Sequence, residues 1–157
     1  MCEGSNKTCF AERSTHPRFH IIAHNEFDRA LRRASWSKAR TIFTDRTDYL
    51  IALEEVRRDS RTLVHCGVQE VAIETIVGSS GRFRDFNADY LPLRRSPDDR
   101  WVSVAQAHFE GIQLPPVKLY KVEDAYFVED GNHRVSVARV IGQETIRANV
   151  IELNFDS

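Results

Sequence analysis

The apolar residues of this chain follow two different spacings, and the change between them lies near Gly67. Before Gly67, apolar positions recur three or four residues apart, as on one buried face of an α-helix. After Gly67 they alternate loosely with polar positions, as in half-buried strands, and helical spacing returns twice. The pattern predicts an α+β fold, in which two N-terminal helices precede a mixed unit of strands and helices.

The two N-terminal helices are predicted from stripes of apolar residues. The first begins at Asn25 or Asp28, either of which could cap it, and runs to about Ile42. The second runs from Thr47 or Asp48 to about Asp59. The stripes that define these helices are Phe27, Ala30, Leu31 and Ala34 in the first, and Tyr49, Leu50, Leu53 and Val56 in the second.

The mixed unit opens with one or two strands over Val68–Val77, and a turn of small residues follows, Gly78–Gly81, which could cradle an anion. A helix is predicted from Asp99 to Glu110, because Gly111 stops the helical pattern. The remaining predicted elements are a strand over Val117–Val122, its hairpin partner over Ala125–Glu129, a helix over Asn132–Ile141 and a last strand over Ile146–Leu153.

These elements divide the chain into a flexible tail over residues 1–22, a helical extension over 23–66 and a domain over 67–157. Histidines and cysteines near the start raise the question of zinc. Pro17 is expected to block one continuous helix through the three histidines, and no Cys-x-x-Cys pair is present. No zinc or other metal site is therefore expected. The residues concerned are Cys2, Cys9, His16, His20 and His24.

Composition narrows the class of protein without naming a function. The chain has 157 residues, 41% hydrophobic and 29% charged, which suits a single globular domain. A net charge of −1 argues against a uniformly cationic coat for nucleic acid. No apolar run approaches the roughly 20 residues of a membrane span, and residues 1–14 lack the apolar centre of a secretory signal. A cytoplasmic protein with reduced thiols and no membrane partner is expected.

Positive charge is concentrated on the first predicted helix, where no acidic residue lies between Arg29 and Arg40. This surface could contact the phosphates of DNA. A solvated helix face with a basic bias explains the same residues. The residues concerned are Arg29, Arg32, Arg33, Lys38 and Arg40.

The candidate chemistry lies where the strand after Ala125 turns at Asp130-Gly131 into a helix. The first N–H groups of a helix have no partner within the helix, so they attract anions. An arginine there can form two parallel hydrogen bonds to a phosphate. A phosphate site is therefore predicted; the alternative is a capped helix in which Arg134 pairs with Asp130 or Glu129. The predicted phosphate-binding residues at this turn are Gly131, Asn132, His133, Arg134 and Ser136.

Two further arginines could reach the same anion. Arg82 and Arg84 lie two residues apart, so they share a face if the segment is extended. They could equally pair with Asp85 or Asp89 on the surface.

The segment from about Val68 to Leu153 resembles the ParB/sulfiredoxin superfamily in the order of its motifs. The stretch Asp130–Arg139 is similar to a bacterial branch described only as ParB-like. The resemblance implies a mixed sheet with packed helices and a nucleotide-phosphate pocket at the Gly131 turn. The motifs are Ile73–Ile76, Arg82–Phe86, Leu114–Val117, Gly131–Arg134 and Ile146–Glu152.

The members of this superfamily differ in their chemistry. Sulfiredoxins carry a reactive cysteine where this chain has Asn132, and an amide cannot supply a thiolate. Chromosome-partitioning ParB proteins add a helix-turn-helix domain, for which the chain leaves no room before Ser157. Free-serine kinases have a related turn and need a carboxylate to receive the hydroxyl proton. Glu74 and Asp130 are the candidates for that carboxylate, and His133 is a further catalytic candidate. Clustered carboxylates for a nuclease are not seen in the sequence.

Two hypotheses follow from the resemblance. The first is a ParB-like domain that binds CTP or ATP, with or without Mg²⁺, and acts as a DNA-associated regulator without the helix-turn-helix domain. The alternative is a small-molecule kinase of the free-serine type that uses a nucleotide and Mg²⁺. Whether the chain forms a homodimer is left open.

Overall fold

The computed structural model describes residues 17–41, 50–53, 62–81, 84–93 and 99–154, with the side chains of the first range described as far as residue 34. No helix in these ranges is long and apolar enough to cross a membrane. The described elements are α1 (Pro17–Thr41), β1 (Ile51–Ala52), β2 (Thr62–Ala72), a 3-10 turn (Ile73–Thr75), β3 (Ile76–Ser79), α2 (Asp99–Phe109), β4 (Val117–Val122), β5 (Ala125–Asp130), α3 (Asn132–Val140) and β6 (Thr145–Asn154).

The strands form one mixed sheet in the order β1-β3-β5-β4-β6-β2. β3 runs parallel to β1 and β5, and β4 runs antiparallel to β5 but parallel to β6. β2 lies at the outer edge and pairs antiparallel with β6. Because β3 and β5 are parallel neighbours, their carboxyl ends meet at the same edge of the sheet.

The sheet curls, because a short connection joins strands that are far apart in the order. β2 and β3 are four strand spacings apart, about 19 Å in a flat sheet. The step from Ala72 to Ile76 is four residues, which reach at most about 14 Å. Arg139 of α3 secures this crossover by donating to the carbonyl oxygens of Ile73 (2.7 Å) and Ile76 (3.3 Å). The crossover therefore lies beside the C-terminal end of α3.

The helices cover one face of the sheet and form the larger core. α1 packs on α2, where the ring of Phe27 meets that of Trp101 edge to face at 5.3 Å. Trp101 then donates from Nε1 to the hydroxyl of Ser136 on α3 at 2.9 Å. On the other face, a smaller core surrounds Phe127, so that Phe127 and Val128 of β5 point into different cores. This second core consists of Leu53, Val122, Phe127 and Leu153.

The predicted α+β class, with a mixed sheet and packed helices, is confirmed. The helix predicted from Asp99 ends at Phe109, one residue short of the prediction. The β4–β5 hairpin, α3 and β6 lie within one residue of the predicted bounds at each end. Strong turn signals on both sides of these elements account for the agreement.

The predicted start of the first helix is wrong. α1 begins at Pro17 instead of Asn25 or Asp28, because proline is tolerated at the first position of a helix, where its missing N–H would have no helical partner. Pro17 therefore does not separate His20 from His24, which lie in one continuous helix. The last six residues of the predicted tail over residues 1–22 are helical, and residues 1–16 lie outside the described part of the chain.

The second predicted helix, from Thr47 or Asp48 to Asp59, is wrong at Ile51–Ala52. These two residues form β1, which pairs with Gly78 and Ser79 of β3. Main-chain pairing with the sheet overrides the helical spacing here, and residues 54–61 lie outside the described ranges. β2 already begins at Thr62, inside the predicted helical extension over residues 23–66. The division into tail, extension and domain stays a prediction.

Candidate functional site

The Gly78–Gly81 segment, predicted as a turn, begins with the last two residues of β3 and leaves the sheet at the edge where β5 passes into α3. Three groups of this turn contact the carbonyl oxygen of Val128 in β5: the Ser79 hydroxyl at 3.1 Å, the Ser80 hydroxyl at 3.3 Å and the Ser80 N–H at 2.9 Å. This segment is therefore bonded to β5 three residues before the chain reverses at Gly131. The structure thus brings together two segments that the sequence named separately as anion-binding.

Tyr90 connects the same two segments from the core side. Its hydroxyl donates to the carbonyl oxygen of Gly78 at 2.6 Å, and the hydroxyl oxygen lies 3.3 Å from Oδ1 of Asn132. Burial raises the pKa of Tyr90 far above its ordinary value, although Arg139 and the Ser79 hydroxyl act in the opposite direction. The phenol therefore stays neutral and serves as a hydrogen-bond donor that ties β3 to the start of α3.

Gly131 makes the reversal from β5 into α3 with a φ of 109°, in the left-handed region that side chains disfavour. A Cβ atom here would lie 2.6 Å from Cγ1 of Val117 and 3.1 Å from Nη2 of Arg134. Both the backbone conformation and the space therefore require glycine. The absence of a side chain lets the Arg134 guanidinium approach the backbone of the turn.

The Arg134 guanidinium is held at the start of α3 by three acceptors. Nη1 donates to the carbonyl oxygens of Pro115 and Pro116, and Nη2 donates to the Asp130 carboxylate at 3.2 Å. The side chain of Arg134 is 14% exposed and that of Asp130 is 67% exposed. The pairing of Arg134 with Asp130, which was the alternative to an anion site, is present. An incoming anion therefore has to compete with Asp130.

The charge of this arginine persists in spite of its burial. Burial lowers the pKa of Arg134, and the charge and hydrogen bond of Asp130 oppose that effect. A guanidinium remains protonated at any physiological pH, and it has five N–H donors. The contacts within the described residues use three of them. The structure thus positions a partly shielded cation with donors left over for a further acceptor.

Asn132 and His133 point away from bulk solvent. They are 7% and 8% exposed, and the His133 ring meets Phe86 edge to face at 5.6 Å. Phe86 pairs with Pro92 in the loop over residues 84–93, which covers this part of α3. A ligand would reach these two side chains only if that loop moved. Their backbone N–H groups belong to the first turn of α3, where N–H groups have no partner within the helix.

Ser136 does not take the predicted role of a phosphate contact. It is fully buried, and its Oγ accepts the hydrogen bond of Trp101 Nε1. Contact with a ligand would require α3 to separate from α2. The serine therefore belongs to the core, because residue 136 lies on the face of α3 that turns toward α2.

Glu74, one of the two carboxylates named for catalysis, lies away from the turn. It belongs to the 3-10 crossover and lines a shallow depression with Arg139 and Glu144, near the C-terminal end of α3. Seven residues of helix separate Arg139 from Asn132, a rise of about 10 Å. Of the two carboxylates, only Asp130 lies at the predicted site.

The described arginines that were predicted to bind outside the turn lie on other elements of the structure. Arg84 is exposed and begins the described part of the loop that carries Phe86, while Arg82 lies outside the described ranges. On α1, Arg29 pairs with Glu26 at 2.8 Å, and Arg32 and Arg33 are exposed. The side chains of Lys38 and Arg40 lie outside the described part of the helix.

An open groove of about 390 Å³ begins at Arg134 and runs between α2, α3 and the start of β6. The groove could not be predicted from the sequence, because it depends on the segment after α2 returning along α3. The carbonyl groups of Pro115 and Pro116, within the motif Leu114–Val117, hold Arg134 there. The groove combines apolar and polar side chains, among them Val104, His108, Gln113, Leu114, Val137 and Ile141.

Comparisons with known proteins give little help. No protein-family model and no curated protein matches the chain. A solved sulfiredoxin from Arabidopsis thaliana is similar over 53% of this chain and 82% of that chain, with 22% sequence identity and a TM-score of 0.34. A likeness at this level carries no argument, so the function has to be inferred from the geometry of the site.

Proposed function

We propose that this domain binds a nucleoside triphosphate, with the phosphates at the Gly131 turn and the nucleoside in the adjoining groove. The observation that carries the proposal is the position of Arg134. Its guanidinium lies at the first turn of α3 and also lines the groove of about 390 Å³. One cation therefore marks the junction between an anion-attracting helix start and a cavity of the size that small ligands occupy.

The turn offers three elements of phosphate recognition. The N-terminal end of α3 carries partial positive charge and directs N–H groups outward. Gly131 places no side chain between these groups and a ligand. Arg134 adds a fixed positive charge, whose planar N–H groups suit phosphate oxygens. When a ligand binds, its phosphate group replaces the Asp130 carboxylate as the partner of Arg134. The phosphate group carries more negative charge than the carboxylate.

The groove supports a ligand that extends beyond phosphate. Its apolar side chains, such as Val137 and Ile141, suit the flat face of a base, and polar groups such as Gln113 suit ring nitrogens or ribose hydroxyls. Asp130, 67% exposed, is placed where it could meet the Mg²⁺ that accompanies a triphosphate. The resemblance of Gly131–Arg134 to the turn of the ParB/sulfiredoxin superfamily implies a nucleotide-phosphate pocket there and supports the same assignment.

The residues at the turn favour binding over sulfiredoxin-type chemistry. Asn132 occupies the position of the sulfiredoxin cysteine, and Cys66 is exposed on β2, where its Sγ lies 4.0 Å from a Glu152 carboxylate oxygen. Neither residue gives a thiolate at the turn. A domain that binds a nucleotide without a nucleophile suits a regulator, in which the bound nucleotide changes affinity for another partner.

Calorimetry with CTP, ATP, GTP and inorganic tripolyphosphate tests the proposal. We expect one equimolar site for at least one triphosphate, with binding weakened at least about tenfold in Arg134→Ala, since a charge-assisted bond contributes about 1.5–3 kcal/mol. Arg100→Ala, which removes an exposed arginine from α2, serves as the control and retains full affinity. Equal affinities in wild type and Arg134→Ala, or no binding of any triphosphate by the folded protein, would exclude the site.

A free-serine-type kinase is the second candidate, and the exposure of Asp130 beside Arg134 is the observation that favours it. A kinase needs a carboxylate near the γ-phosphate to accept the proton of the attacking hydroxyl. Asp130→Asn would then abolish transfer of labelled phosphate to a hydroxyl substrate and leave nucleotide binding intact. Binding without transfer to any compound in a screen of small hydroxyl compounds leaves the regulatory domain as the function.

The exposed arginines of α1 provide the proposed DNA contact of such a regulator. Arg32 and Arg33 lie on the outer face of the helix, opposite the apolar side that packs on α2. If both contact phosphates, neutralising them makes the plot of log affinity against log salt concentration shallower by about 2. Fluorescence anisotropy with a duplex measures this slope. An unchanged slope would assign the two arginines to the solvated surface.

A further inference from the structure

His20 and His24 form a pair on α1 that the phosphate site does not use. Their Nε2 atoms lie 3.3 Å apart, and their ring centroids lie 4.4 Å apart at an interplanar angle of 65°. His20 is exposed and His24 is half-buried, so the gap between the two nitrogens opens to solvent. Because α1 begins at Pro17, both residues lie within regular helix, and a spacing of four places them on the same face.

The approach of two imidazole nitrogens admits only certain proton arrangements. One ring can donate its Nε2 hydrogen to the lone pair of the other, which makes a single neutral hydrogen bond. Two protonated rings would direct positive N–H groups at each other. A divalent metal ion, in contrast, accepts the lone pairs of both nitrogens at once, because neutral imidazole is the form that binds metals.

The distance matches one coordination geometry. Zinc lies about 2.0–2.1 Å from histidine nitrogens, and two ligands at the tetrahedral angle are then about 3.3–3.4 Å apart. Two ligands at a right angle, as in octahedral coordination, would be only about 2.9 Å apart at the same bond length. The observed separation of 3.3 Å therefore matches that of two nitrogen ligands on tetrahedral zinc.

We propose that His20 and His24 bind Zn²⁺ on the surface of α1. Within the described residues, no group of three or more histidine, cysteine, aspartate or glutamate side chains could hold a metal ion, so the pair supplies two ligands. No zinc was predicted from the sequence, because no Cys-x-x-Cys pair is present and Pro17 was expected to block one helix through all three histidines. In the structure Pro17 begins α1, so His20 and His24 lie within one helix. Zinc prefers imidazole nitrogen among the ligands that a helix surface can present.

Binding of zinc would fasten one turn of α1 to the next near its start. A ligand that binds only the folded state stabilises it by an amount that grows with ligand concentration. The site is on α1, whereas the proposed nucleotide site is on α3, so either can fail without the other. Zinc binding would thus give the N-terminal helix a stability that depends on metal supply.

The test is zinc calorimetry on reduced, full-length protein without a histidine tag. We expect an equimolar site whose affinity falls at least about tenfold in His20→Ala and in His24→Ala, since even loss of an outer-shell partner costs 10–100-fold. His65→Ala, which removes an exposed histidine from β2, is the matched control and keeps the affinity. Circular dichroism verifies that α1 stays folded, which alanine at these surface positions favours.

A second measurement separates this pair from other zinc ligands. Zinc is expected to raise the midpoint of thermal unfolding in wild type and in His65→Ala, and not in the His20→Ala/His24→Ala double variant. The proposal is overturned if the double variant binds zinc as tightly as wild type, or if the wild-type protein binds no zinc at millimolar concentration.

Discussion

Nη2 of Arg134 lies 3.2 Å from the carboxylate of Asp130, four residues earlier in the chain. The two residues lie on either side of the left-handed reversal at Gly131, so the pair closes the turn from β5 into α3. The arginine is largely buried and the aspartate is mostly exposed. The exposed carboxylate can move into water, whereas the cation stays fixed by the carbonyl groups of Pro115 and Pro116.

Gly131→Ala is expected to destabilise the fold more than Gly142→Ala does. The left-handed conformation alone costs a side chain about 1–3 kcal/mol, and the new Cβ would also lie 2.6 Å from Cγ1 of the buried Val117. Gly142→Ala is the control, because Gly142 has a φ of 80° with no atom within 4 Å of an added Cβ. Chemical denaturation should give a clearly larger loss for Gly131→Ala. Equal losses would mean that Val117 yields to the new methyl group.

Tyr90→Phe tests the hydrogen bond by which Tyr90 ties β3 to the start of α3. Removing the hydroxyl leaves the carbonyl oxygen of Gly78 without its 2.6 Å donor, at an expected cost of about 1–3 kcal/mol at neutral pH. Burial raises the pKa of Tyr90 in the folded protein, so above pH about 10 only the unfolded state releases this proton. Above pH 10 the free energy of unfolding should therefore decrease with pH more steeply for wild type than for Tyr90→Phe. The expected difference in slope is about 1.4 kcal/mol per pH unit.

The control for this pH dependence is Tyr126→Phe, since the side chain of Tyr126 is only half-buried on β5. Urea denaturation between pH 7 and pH 11 would follow all three proteins. Parallel curves for wild type and Tyr90→Phe above pH 10 would show that the phenol ionises in the folded state, and the buried hydroxyl would then not be a permanent donor to Gly78.

Ser136→Ala separates a structural serine from a ligand-binding one. The change leaves Nε1 of the buried Trp101 without its acceptor, so the free energy of unfolding should fall by about 1–3 kcal/mol. Triphosphate affinity should stay within about twofold of wild type, because the hydroxyl does not face the turn. A variant with normal stability and a large loss of triphosphate affinity would restore the phosphate role that the sequence suggested.

The elements from Asp99 onward could be predicted closely because their signals are local. Gly111 and Gly131 have positive φ at the residues where the sequence placed a helix stop and a chain reversal. β1 could not be found in this way, since two residues of apolar sequence become a strand only through pairing with β3. The start of α1 was missed because proline was weighed as a helix breaker without regard to its tolerance at the first position.

At the site, the sequence identified the turn but not the partners of its side chains. Arg134 and Gly131 were recognised from their order along the chain. The acceptors at Pro115 and Pro116, and the Tyr90 hydroxyl beside Asn132, come from segments 15 or more residues away. Such contacts depend on how α2 and the loops fold back over the sheet. No local pattern contains that information, nor does one show that Ser136 faces the core and that Glu74 lies at the crossover.

The most direct measurement of the central claim is the affinity for tripolyphosphate in Asp130→Asn, compared with wild type and Arg134→Ala. If the Gly131 turn is an anion site that Asp130 occupies in the absence of ligand, removing the negative charge of Asp130 strengthens binding, and removing the cation of Arg134 weakens it. Calorimetry at low ionic strength should then show affinities in the order Asp130→Asn, wild type, Arg134→Ala. Equal affinities in the three proteins, with all three folded, would contradict the anion site. The ion pair between Arg134 and Asp130 would then have only a structural role.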